Sequence, residues 1–153
     1  MGKIRHPKSQ SIKVYISHAE VDMIFARHVR NLLVQRVNAQ VFTTEDLSAG
    51  EKWQSKLRNE LSSTDVVVAL LTPNSVNNSW VLHEIGAAWA LEKPIIPVVS
   101  RRDVLNEMPV SLERAHVIEL TDVETREHAD KFVDAFEESL AAAHLMKLVE
   151  TPN

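Results

Sequence analysis

Trp80 and Glu84 stand four residues apart, which stacks their side chains on one face of a helix, one turn from each other. The remaining face of that helix is small or apolar: Ile85, Gly86, Ala87, Ala88 and Ala90. Two readings follow from spacing alone, an exposed surface glutamate beside an ordinary core tryptophan, or a partly desolvated carboxylate beside an indole. Ser17-His18, Trp53 and Arg101-Arg102 are the other side chains able to meet a ligand. Several standard chemistries are excluded. His83-Glu84 begins like a zinc-binding HExxH, but Ala87 occupies the second histidine position. Three glycines (Gly2, Gly50, Gly86) are too few for a GxGxxG fingerprint or a phosphate-cradling loop. No pairing of residues argues for a Ser-His-Asp triad.

These residues depend on a repeating set of elements. Residues 1–11 are polar and basic and read as a loose lead-in. Ile12 to Ile16 alternates and is rich in β-branched and aromatic types, which predicts a strand. Ile24, Phe25, His28, Val29, Leu32 and Leu33 recur at helical spacing, and Asn38 ends that helix. Ala39–Phe42 predicts a short strand, Thr43–Gly50 a polar loop, and Trp53, Leu57 and Leu61 a helical stripe. Asp65–Leu71 is a continuous apolar run, as in a strand covered on both faces. Asn77-Asn78-Ser79 offers capping chemistry for a helix from about Trp80 to Leu91, which Lys93-Pro94 terminates. Strands follow at Ile95–Val99 and, edge-like, at Val117–Leu120. A final amphipathic helix is expected over about 124–147 with Phe132, Phe136 and Leu140 inward, then a tail over 148–153. Strand and helix alternate about five times, the pattern of a flavodoxin-like, doubly wound α/β fold with a five-stranded parallel sheet and helices on both faces. Ligands of that class bind beyond the carboxyl ends of the strands. This points to Ser17–Ala19, Thr43–Gly50, Thr72–Ser79 and Ser100–Asp103.

A chain of 153 residues with 44% hydrophobic and 25% charged residues suits one globular domain. A net charge of −4 argues against nucleic acid as partner. The absence of cysteine excludes disulfides and thiolate metal sites. No apolar run is long enough to span a bilayer, so a cytoplasmic protein without membrane partners is expected.

Val14-Tyr15-Ile16-Ser17-His18-Ala19-Glu20-Val21-Asp22 resembles the first conserved box of TIR (Toll/interleukin-1 receptor) domains. Glu45-Asp46-Leu47-Ser48-Ala49-Gly50-Glu51-Lys52-Trp53 resembles their BB loop, with Glu45 for the usual Arg and Ala49 for the usual Pro. Asn77 to Glu84 resembles the Ser-x-Trp-x-x-x-Glu region. Three boxes in order, within a domain over 12–147, look most like bacterial NAD-consuming members. The resemblance implies that NAD+ is the substrate, with no further cofactor and no metal, and that Glu84 is catalytic. It places Ser17, His18, Asp46, Trp53 and Trp80 against the dinucleotide, Trp80 as an aromatic wall and Trp53 either stacking on a ring or packing under the BB loop. Nicotinamide departs neutral from a cationic substrate, so one carboxylate suffices where ordinary glycosidases need two. The resemblance further implies self-association through the BB loop and a place in bacterial anti-phage defence, with ADP-ribose or a cyclic isomer as product. The competing expectations are a non-catalytic TIR–TIR scaffold and a nucleoside deoxyribosyltransferase-like enzyme. A receiver domain is discounted, since Ser17-His18 and Leu71-Thr72 stand where its acidic residues belong.

Overall fold

The computed structural model describes residues 11–46, 52–108, 112, 117–120 and 126–150, with side chains to residue 143. Residues 1–10, 47–51 and 151–153, which include most of the lead-in and the centre of the BB loop, lie outside it. Five strands, β1 (Lys13–Ser17), β2 (Gln40–Thr43), β3 (Val66–Leu71), β4 (Ile95–Val99) and β5 (Ile118–Glu119), form one sheet in the order β2-β1-β3-β4-β5, every pair parallel. Among the described residues four α-helices, α1 (Met23–Val37), α2 (Trp53–Ser63), α3 (Ser79–Ala90) and α4 (Arg126–Glu150), cover it. This is the doubly wound α/β architecture that the alternation of elements predicts. None of the described helices is long and apolar enough to cross a membrane.

Alternation along the strands divides the core. Val14, Ile16, Val68, Leu70, Ile96 and Val98 pack with Val29, Leu33, Phe132 and Phe136 of α1 and α4. Tyr15 and Val67 pack with Leu57 and Leu61 of α2 and Ala88 of α3. Ala69, Leu71 and Val99 meet Val81 and Ile85 of α3. All six residues of β3 are buried, as a central strand requires. Asn38 closes α1 in the left-handed conformation (φ 56°), which asparagine tolerates better than most residues.

One expectation needs correction. Ile24, one of the residues whose helical spacing suggests a single stripe on α1, is 70% exposed. The buried stripe is Ala26, Val29 and Leu33, and at 100° per residue Ile24 lies on the side opposite Leu33. The crossover from β4 to β5 carries, among the described residues, a 3-10 helix at Arg102–Glu107. Pro109 disfavours helical backbone at the preceding residue, and Met108 is extended.

Candidate active site

The order of strands reverses between β1 and β3, so the crevice of the fold opens there. Three segments converge on it. β1 ends at Ser17. Ile16 pairs with Thr43, so Thr44 follows β2 at the level of Ser17. α3 starts beyond β3 from a turn held by its own polar groups. In that turn the Thr72 backbone N–H donates to Ser75 Oγ at 2.8 Å, and Ser75 Oγ donates to the Thr72 carbonyl at 3.0 Å. Asp22 braces it from the other side, accepting from Thr72 Oγ1 at 2.6 Å and Asn74 Nδ2 at 3.1 Å. Asn78 caps α3, its side chain accepting from the Val81 backbone N–H at 3.0 Å.

α3 delivers Glu84 into the crevice with no solvent exposure. Of the two readings left open by spacing, the surface glutamate is thereby rejected. Its carboxylate is met by hydroxyls from β1 and from the turn that follows β2. Tyr15 donates to Oε2, and Ser17 Oγ donates to Oε1 at 2.8 Å. Thr44 Oγ1 reaches both oxygens, at 3.0 and 3.2 Å. Burial pushes the Glu84 carboxyl up to about 7, while the donors Tyr15, Ser17, Thr44 and Trp80 pull in the opposite direction. The Trp80 indole N–H acts through proximity, since it lacks a hydrogen bond of good geometry. The Tyr15 phenol is held far above its usual range, first by burial and then by the Glu84 charge, so it remains a donor at any working pH.

The other expected residues divide. Ser17 joins Glu84 directly. Trp80 of α3 and Trp53 of α2 pack together, ring centres 4.7 Å apart. Trp53 is half-buried against the α2–α3 core; the centre of the BB loop, under which it was expected to pack, lies outside the described residues. His18 is buried, but its Nδ1 engages the Ala19 carbonyl at 2.8 Å and its Nε2 has no partner; no hydrogen bond links it to Glu84. The Asp46 carboxylate accepts from the Thr43 backbone N–H at 2.8 Å and so shapes the end of β2. Arg101 and Arg102 are exposed and face Asp103 and Glu119, each at 3.2 Å. His83 is exposed and meets the Trp53 ring edge-on at 6.1 Å. Glu45, the departure at the loop's start, faces Arg27 of α1 at 3.4 Å.

Two contributors were missed in the sequence, Tyr15 and Thr44. Tyr15 was legible, because it lies two residues before Ser17 and strand alternation puts both on one face. Thr44 was not, because its contact depends on the pairing of β2 with β1. What the cluster can do is hold one negative charge inside the protein, surrounded by neutral donors. Among the described residues no second carboxylate hydrogen-bonds into it.

The sequence profile described as "TIR domain" matches residues 14–144. No curated protein matches the chain by sequence. Among solved structures, the TIR domain of the Toll-related receptor TRR-2 from Hydra magnipapillata is similar with a TM-score of 0.57 and 16% identity, over 80% of this chain and 96% of that one. The TIR domains of the activated Roq1 resistosome, which directly recognizes the pathogen effector XopQ, are similar with a TM-score of 0.50 and 17% identity, over 87% and 83% of the two chains. A 2-desoxiribosyltransferase from Leishmania mexicana aligns with a TM-score of 0.47 and 19% identity over 59% of this chain, which spans 65% of its length. At these identities the likeness is one of fold.

Proposed function

The chain belongs to the TIR domain family, and on that premise we propose that it cleaves the nicotinamide–ribose bond of NAD+, with Glu84 as the catalytic residue. TIR domains act as NAD-consuming enzymes or as scaffolds, and the environment of Glu84 favours the first. The supporting observation is a carboxylate with no solvent exposure, placed at the carboxyl edge of the sheet and ringed by three hydroxyl donors. Enclosing a carboxylate costs stability, as its raised pKa records.

Departure of neutral nicotinamide leaves positive charge on the ribose carbon that it vacates. Glu84, anionic and shielded from solvent, stabilises that charge electrostatically, where the interaction counts for far more than in water. The bond breaks with both electrons going to nicotinamide, which needs no proton. Water then attacks the sugar carbon and releases a proton to solvent, giving ADP-ribose, or an atom of the same molecule attacks to give a cyclic isomer. Trp53 and Trp80 supply an aromatic wall beside the reacting ribose. Thr44 must move aside before substrate can touch the carboxylate, and self-association through the segment beyond it is the proposed trigger. A role in bacterial defence is part of the same reading.

The test is incubation of concentrated protein with NAD+, following nicotinamide release and identifying the product by mass spectrometry. Release by the native chain and its loss in Glu84→Gln are expected. Turnover of a deoxynucleoside but not of NAD+ would replace this reading with the deoxyribosyltransferase one. No release at any concentration would leave the scaffold.

A further inference from the structure

Tyr15 is wholly buried on β1, an inner strand of the sheet, and its phenol donates to Glu84 Oε2. Ser17, two residues along on the same face, donates to the other oxygen, Oε1, at 2.8 Å. One strand therefore grips both oxygens. The terminal torsion of a glutamate is broad, and a single donor leaves the carboxylate plane free to turn. Two donors at the fixed separation of a strand stop that rotation. Resting on the reading of Glu84 as the charge that stabilises the ribosyl cation, we propose that Tyr15 is a positioning residue: with Ser17 it holds the Glu84 carboxylate in one plane and stabilises its charge inside the protein.

The surroundings leave this task to hydroxyls. The groups acting on Glu84 are all neutral donors, namely Tyr15 and Ser17 from β1, Thr44 from beyond β2 and Trp80 from α3. Asp46, the other charge that Tyr15 senses, opposes ionisation of the phenol. His83, next to Glu84 on α3, is exposed and turned to Trp53. The phenol thus stays protonated and donates throughout the pH range in which Glu84 titrates.

Tyr15→Phe keeps the buried ring and removes only the donor. The first readout needs no substrate: carbon-13 NMR of the Glu84 side-chain carboxyl against pH, in the native chain and the variant, with circular dichroism confirming the fold. A midpoint near 7 is expected in the native chain. In Tyr15→Phe it should lie about one to two pH units higher, the worth of a hydrogen bond to a charged acceptor. Ser17→Ala should move it in the same direction. The second readout is NAD+ turnover. The ascending limb of kcat should move with the midpoint, so that kcat falls about five- to fiftyfold near pH 7 and recovers as pH rises past the new midpoint. KM should hold within about twofold, because the phenol touches Glu84 and not the substrate. An unmoved midpoint overturns the proposal, whether kcat is unchanged or falls equally at every pH. If the native chain releases no nicotinamide while the midpoint moves, the NAD+ reading fails and the positioning of Glu84 by Tyr15 stands.

Discussion

Glu84 concentrates the conflict between stability and chemistry in one side chain. Its carboxyl titrates near 4.5 when solvated and near 7 in the fold, because burial outweighs the hydroxyls that favour its charge. The sign follows. Below the lower value both the folded and the unfolded chain hold the proton. Between the two, the unfolded chain releases it and the folded chain retains it, so stability falls as pH rises through that window. Above about 7 the loss is complete, on the order of 3 kcal/mol. Glu84→Gln removes the charge and should therefore raise the midpoint of urea unfolding at pH 8 while leaving it nearly unchanged at pH 4. The same variant should lower NAD+ cleavage by at least about a hundredfold, the scale on which removing a preorganised electrostatic group acts. Activity of the native chain should rise with pH along one limb near 7, since only the anion can offset positive charge on ribose. A flat rate profile from pH 5 to 9 would contradict that assignment.

The elements around Glu84 are held by side-chain bonds that no helix or strand supplies by itself. α3 begins where Asn78 caps it, and the turn before that is braced by Asp22 through Thr72 and Asn74. The acidic residue that follows Ser17-His18 in the first box thus has a structural use: it ties the end of β1 to the approach to α3. Asn78→Ala should cost about 1 kcal/mol in denaturant unfolding, the usual worth of a helix N-cap. On α1 the burial pattern separates two apolar residues that look alike in sequence. Leu33→Ala should cost about 2–5 kcal/mol, whereas Ile24→Gln should be neutral to within about 0.5 kcal/mol. Equal losses at the two positions would mean that the buried stripe has been misplaced.

On the scale of the molecule, the sheet places the chemistry. β1 lies between β2 and β3, so the carboxyl ends of β1 and β2 and the start of α3 meet at one crevice. The same arrangement encloses Glu84 in the single chain, and the proposed trigger of self-association carries a kinetic signature. Turnover per protomer should rise with protein concentration, and dilution should abolish it reversibly; constant specific activity over a wide concentration range would remove association from the mechanism. Exposed Trp89, 74% accessible at the end of α3, takes no part in the Glu84 cluster.

Element types and most of their bounds were legible in the amino-acid order, because periodicity of 2 or 3.6 residues, caps and breakers are local properties. β4 fell on the expected residues Ile95–Val99, and the expected stripe Trp53, Leu57 and Leu61 lies on α2. The spacing of Trp80 and Glu84, read with the two earlier boxes, also singled out the carboxylate. The burial of that carboxylate belongs to the tertiary structure alone. Its donors lie 69, 67 and 40 residues away along the chain. They reach it only because β1 and β2 pair in a particular register and α3 packs across their ends. A helical glutamate has the same local signature whether it faces solvent or three hydroxyls, and the difference, a shift from about 4.5 to about 7, arises from contacts between distant segments.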